Sequence, residues 1–362
     1  MTGRRIGAQC HASPCALTGL GARDHTTNWF VEQDSDVRYS GAALRSASHR
    51  YPVMSARQPT SRGSTIAPVP RFLMAYVARA LLALCTVVTA ACRPEVDGAR
   101  TIAHPDDASR QVEYFVAAPA GSGPWPTVVL LHGHQEARGP GGVLNRLMGG
   151  TPGGRQFVDW GVLRALAGRG YLAVAISQPG YGRSSGPADF AGPSKQRAVA
   201  GVIAQLRTER RIMPGRLVLQ GISRGAIVAG LTAVHDSAVT GLVLISGAYD
   251  LVAYAADSQM TPAQRAVVRA LRAESGGSVA ALQARSLLPV AGRIRAATLV
   301  LNGALDDRTS AAQAQALGTA ITRAGGRARV RIYPEYGHQI PVAVRAATVD
   351  PFLDTILPLR PY

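Results

Sequence analysis

The chain is almost without lysine. Lys195 is the only one in 362 residues, so the net charge of +17 is carried by arginine. The arginines are scattered and form no basic block interleaved with aromatics, which argues against a nucleic-acid partner. A bias of this kind tracks a GC-rich genome. Cysteine is nearly as sparse: Cys10, Cys15, Cys85 and Cys92 are the only four, and none follows residue 92. The rest of the chain therefore has no disulfide, no thiol nucleophile and no cysteine-based metal site. There is no internal repeat. The whole chain is 47% hydrophobic and 17% charged, an ordinary globular balance with enough apolar content for one large domain.

The first 92 residues read as lying outside the fold. Residues 1–73 are rich in Ser, Arg, Gly, Thr and Pro and show no sustained period. This marks them as disordered or as a misassigned extension, with Met74 or Met54 as the true start. After Met74 and the positive charge of Arg79 comes an apolar run from Ala80 to Thr89. At about ten residues it has the length of a signal-peptide core and is too short to span a bilayer. Thr89-Ala90-Ala91-Cys92 then resembles the lipobox of bacterial lipoproteins, in which the cysteine is acylated and becomes the mature N-terminus. The expectation is an exported, bacterial protein, periplasmic or anchored through Cys92. Plain secretion is the rival, since small residues also suit ordinary signal peptidase. Residues 93–108 read as a polar tether, and the folded domain as 109–362.

Within that domain, short apolar runs alternate with helical stretches. Strands are expected at 111–118, 127–131, 171–176, 216–220, 241–246, 297–302 and 328–333. Helices are expected at 158–169, 194–209, 224–235, 311–324 and 342–357, where apolar residues recur three and four apart. The alternation implies an α/β fold: a doubly wound, mostly parallel sheet with its site at the carboxyl ends of the strands. Residues 252–296, about 45 in all, interrupt it and include a helical stretch at 262–274. They read as a small helical lid over those ends; a surface excursion without a role in substrate choice is the alternative.

Three segments carry chemistry. Gly221-Ile222-Ser223-Arg224-Gly225 is G-x-S-x-G between an expected strand and an expected helix. Ser223 would sit on a strained turn at a strand end, and glycines on both sides remove colliding side chains. Its base needs an imidazole from another strand end. Of the two histidines after Ser223, His235 closes the helix that Ser223 opens, whereas His338 lies on a loop after the last strand. The acid belongs on the loop after the preceding strand, where Asp306 and Asp307 both qualify. Asp306 is preferred, with Asp307 read as a helix cap or a partner of Arg308. The backbone N–H of Arg224 at the helix N-terminus would serve one side of an oxyanion hole. The loop His132-Gly133-His134-Gln135 would supply the other, through His134 or else Gln135. His132 and His134 also form H-x-H, but no further ligand accompanies them, so no metal and no organic cofactor is expected. Tyr181, in the turn after the next strand, is a substrate contact or plain packing.

Together these residues resemble the α/β-hydrolase superfamily. Ala284 to Pro289, the strand ending at Gly303 and Asp306-Asp307-Arg308 look nearest to dienelactone-hydrolase-like and prolyl-oligopeptidase-like catalytic domains. The resemblance implies a serine hydrolase working through an acyl-enzyme, with Ser223, Asp306 and His338 as its triad and a carboxylic ester as substrate. Departures are the missing propeller, serine in place of the dienelactone hydrolase cysteine, and Arg224 where the peptidases carry tyrosine. An exopeptidase or amidase is the first rival; it would need acids for a substrate amine, for which Glu136 and Asp189 are candidates. A catalytically silent binding protein on the same fold is the second, and a surface adhesin or tether built on the first 92 residues is the third. The implied partner is a small ester or peptide, with no nucleic acid and no membrane contact beyond a Cys92 anchor. Oligomeric state is left open.

Overall fold

The computed structural model describes residues 95–135 and 151–359. The extension at 1–73, the signal segment at 74–92 with Cys92, and Glu136 lie outside the described residues. Among the described residues no helix is long and apolar enough to cross a membrane.

Eight strands form one sheet: β1 (Arg100–His104), β2 (Asp107–Ala117), β3 (Trp125–Leu131), β4 (Leu172–Ile176), β5 (Ile212–Ile222), β6 (Gly241–Ile245), β7 (Ala297–Gly303) and β8 (Ala328–Tyr333). Their order is β1-β2-β4-β3-β5-β6-β7-β8. β1 and β2 run antiparallel to their neighbours, and β3 to β8 run parallel. The central strands are wholly buried because both faces are covered, which is why they read as unbroken apolar runs rather than alternating ones. Period two persists in which core each residue joins. Along β3, Val129 and Leu131 enter one cluster, while Val128 and Leu130 enter the other.

The helices are α1 (Arg155–Asp159), α2 (Val162–Gly168), α3 (Pro193–Thr208), α4 (Arg224–His235), α5 (Leu251–Ala256), α6 (Pro262–Ser275), α7 (Val279–Gln283), α8 (Ala311–Arg323) and α9 (Val342–Ile356). α3, α4 and α8 bury their apolar residues in the first cluster; α1, α2 and α9 bury theirs in the second. α5 to α7 and a 3-10 turn at Leu288–Arg293 make up the insertion between β6 and β7. The insertion is held over the strand ends. Tyr254 donates to the carbonyl of Arg308, Thr261 to that of Asp307, and Glu274 reaches Arg224 beside the nucleophile position.

Three details depart from the sequence reading. Of residues 93–108, read as a tether, the described ones from 95 on include part of the sheet, so the fold starts ahead of 109. Arg100–His104 pairs with β2, Ile102 packs on the core, His104 is buried, and Val96 already bridges Ala117. The single helix expected at 158–169 is two, because Gly161 stands at φ 71 between them, a left-handed conformation that ends the first and starts the second. β5 begins at Ile212 rather than 216. The Pro214-Gly215 turn is absorbed as an irregularity in its pairing with β3, whose register jumps between Trp125 and Thr127.

Candidate active site

Ser223 sits between β5 and α4 at φ 55 and ψ −119, a conformation that L side chains rarely adopt. Strain of this sort costs on the order of 1–3 kcal/mol and persists only where the surroundings enforce it. Here the two flanking glycines allow it. A Cβ on Gly221 would collide with the carbonyl of Gly225, and one on Gly225 with the carbonyls of Leu131 and His132. The β3 loop presses on the same turn, for a Cβ on Gly133 would lie 3.1 Å from that of Ser223.

His338 arrives on the loop between β8 and α9. Its Nε2 is 3.2 Å from Ser223 Oγ, and its Nδ1 is 2.9 Å from Asp306 Oδ2 and 3.1 Å from Oδ1. The base of this loop explains why β7 ends in glycine: any side chain at Gly303 would strike the carbonyls of Tyr336 and Gly337. Asp306, not Asp307, faces the imidazole. Asp306 also accepts the N–H groups of Arg308 and Thr309 at 2.9 Å each and the Thr309 hydroxyl at 2.8 Å. Burial pushes its carboxyl up, but the bonds from His338 and Thr309 outweigh burial and leave it below the ordinary aspartate range. Asn302 and Thr309 are supports that the sequence reading missed. Asn302 donates to the carbonyls of Gly303 and Thr309, and the Thr309 hydroxyl shares its one proton between Asp306 and the carbonyl of Ser246. His235 stays at the far end of α4.

On the opposite side of Ser223, the N–H groups of His134 and Arg224 have no hydrogen-bond acceptor among the described residues, and neither does that of Gln135. The Gln135 side chain is occupied, tying the loop to Gly153 and Gln156. His132 is fully buried, and its partners fix its tautomer. The Gln178 N–H donates to Nε2, so Nδ1 carries the proton and donates to the Gly133 carbonyl at 2.8 Å. Burial holds it neutral, with its pKa pulled down to about 3. His134 is held neutral by burial and then by the charge of Arg224, at about 4. Arg224 donates to the Tyr181 hydroxyl at 3.3 Å, and that hydroxyl also lies 3.0 Å from His134 Nδ1. Among the described residues no group of three acidic, histidine or cysteine side chains has the arrangement of a metal site.

Around this centre lies a charged cluster the sequence did not reveal. Arg224 pairs with Glu274 of α6 at 2.7 Å and stacks 4.0 Å over the Phe190 ring. Asp189 pairs with Arg285, so it is already engaged and is not a free acceptor for a substrate amine. The signal available beforehand was faint: an arginine directly after the nucleophile, in a helix turn too buried to leave it unpaired.

The family model for the prolyl oligopeptidase family matches residues 163–354, from α2 through α9. The chain belongs to the prolyl oligopeptidase family. The fold agrees with solved structures of related architecture. An acylaminoacyl peptidase of Pyrococcus horikoshii superposes with a TM-score of 0.58 at 14% identity, covering 76% of this chain and 44% of that one. A puromycin-hydrolyzing peptidase of Mycobacterium tuberculosis gives 0.57 at 18%, covering 74% and 40%. An esterase of Pyrococcus furiosus gives 0.51 at 14%, covering 73% of this chain and 90% of that one. This family member thus spans about two fifths of the length of those peptidases but matches most of the esterase. No curated protein matches its sequence.

Proposed function

We propose that this family member is a serine hydrolase that cleaves carboxylic esters through an acyl-enzyme. The observation that carries the reading is the unbroken chain from Asp306 through His338 to Ser223, at 2.9 and 3.2 Å, on three separate strand-end loops. His338 takes the Ser223 proton as Oγ bonds to the ester carbonyl carbon. The N–H groups of Arg224 and His134 hold the developing oxyanion. The C–O bond to the alcohol breaks as His338 returns the proton to the leaving oxygen. Water, deprotonated by His338, then attacks the acyl carbon and frees the acid and Ser223. The ester is favoured because an alkoxide leaving group asks less of the acid than an amine does, and because Asp189 is already neutralised. The match to a peptidase family supports an amidase or exopeptidase as second reading. Export, with Cys92 as lipid anchor or with plain secretion, rests on residues 74–92 alone.

The test is labelling with a fluorescent fluorophosphonate, beside Ser223→Ala. Labelling of the parent only, followed by faster turnover of 4-nitrophenyl esters than of aminoacyl anilides, is the expected result. A folded parent that takes no label would sink the triad.

A further inference from the structure

The only lysine of the chain is buried in the site's polar cluster. Lys195 lies in the first turn of α3 and is 1% exposed. Its ammonium stands 4.7 Å from the centroid of the Tyr181 ring, and the hydroxyl of that ring bonds to both His134 and Arg224. One aromatic ring thus separates Lys195 from the residues on either side of the oxyanion position. Among the described residues no carboxylate oxygen lies within 4.0 Å of Nζ. The two acids of the neighbourhood are spoken for: Glu274 by Arg224 and the Phe190 N–H, Asp189 by Arg285 and the Ser194 N–H. With Arg224, Arg285 and Lys195 against Glu274 and Asp189, the cluster keeps one buried positive charge.

That charge is out of place on two counts. A buried ammonium without an anion is among the costliest groups a fold retains, and an aromatic face offsets only part of the cost. It also stands at a helix N-terminus, where the dipole favours anions and repels cations, and the first turn of α3 contains no acidic residue. Burial has pulled its pKa down to about 8, which still leaves a cation at neutral pH. Both features are relieved by an anion, and none of the protein's described residues provides one.

We infer that Lys195 receives a carboxylate of the substrate, so that the site selects esters with an anionic end lying against Tyr181 and Arg224. The inference rests on the ester-hydrolase reading above. Two substrate pairs separate a carboxylate on the acyl side from one on the alcohol side: monomethyl adipate against methyl hexanoate, and 4-acetoxybenzoate against phenyl acetate. Each kcat/KM is normalised to the ester's rate with hydroxide. In one pair the parent is expected to prefer the anion by on the order of tenfold, the scale of one charge-assisted bond. Lys195→Met should bring that ratio to near unity, and Lys195→Arg should keep part of it. No preference in either pair would overturn the inference.

A second readout needs neither turnover nor a lysine variant. In Ser223→Ala protein grown on ¹³C-lysine, Lys195 gives the only lysine signal. Monomethyl adipate or 4-acetoxybenzoate should raise its titration midpoint by about one unit, as an opposite charge does. A midpoint that neither probe moves at millimolar concentration would also overturn the inference. If the parent neither labels with fluorophosphonate nor cleaves any ester, the hydrolase reading falls, and the NMR titration alone decides the subsite.

Discussion

The triad and the charged cluster beside it share one end of the sheet, yet they are built on different principles. Ser223, Asp306 and His338 each stand on the loop that follows a parallel strand, and each loop is set by local chemistry: a strained turn between glycines, an aspartate tied to its own loop, an imidazole above Gly303. The cluster of Lys195, Arg224, Glu274, Asp189 and Arg285 draws on segments far apart in sequence, and it exists only because the insertion folds back over the strand ends. The first arrangement is robust to what surrounds it. The second depends on the insertion, and should respond to single charge changes as a network rather than residue by residue.

The largest expected effect tests the first half of that contrast. Ser223→Ala and His338→Ala should each lower kcat for a 4-nitrophenyl ester by ~10³-fold or more, and the double variant should be no worse, since the two act as one unit. Additive losses in a pre-steady-state assay would break the unit. Next, Asp306→Asn should cost ~10²-fold or more in kcat by leaving the imidazole in the wrong tautomer, whereas Asp307→Asn should stay within about threefold. Equal losses would reassign the acid.

The cluster should answer in stability first. Glu274→Gln strips Arg224 of its carboxylate and should cost about 3–5 kcal/mol in urea unfolding, as when one partner of a buried pair is removed. Pairing it with Arg224→Met should restore most of the loss. A single-variant cost below about 1 kcal/mol would mean that the pair is in effect solvated. The smallest effect has the opposite sign. Lys195 is protonated in both states below its folded pKa of about 8, so at pH 7 the native state bears the whole cost of burying the charge. Lys195→Met should therefore stabilise the protein, by at most about 3 kcal/mol at ~1.4 kcal/mol per unit of pKa. Between about pH 8 and 10.5 the native parent loses its proton before the unfolded chain does, so the parent gains stability and the gap closes. A gap that does not change with pH would mean that the side chain matters for packing alone.

The contrast also explains what could be read in advance. The central strands were legible because burial on both faces leaves uninterrupted apolar runs, and the nucleophile turn because its steric demands are met by residues adjacent in sequence. β1 was not legible: its residues Arg100 to Ala103 are exposed or half-buried and give no apolar run, so only pairing with β2 defines the strand. In sequence only its place three residues past Gly303 favours Asp306 over Asp307; the physical reason, the turn through Thr309 that decides which of the two faces His338, is visible only in space. Glu274 and Arg285 gave no signal, because in sequence they are ordinary charges, one on the amphipathic α6 and one in the turn after α7, and the fold of the insertion alone brings them to Arg224 and Asp189.

The burial of the one lysine has a practical side. Reagents that acylate amines meet a single ε-amino group on the folded domain, and the way to it leads through the site. An anionic ester that occupies the site should therefore slow adduct formation there. Peptide mapping of a single acylated Lys195 would then report how far that way is open, turning an uncommon composition into a built-in gauge of the site's occupancy.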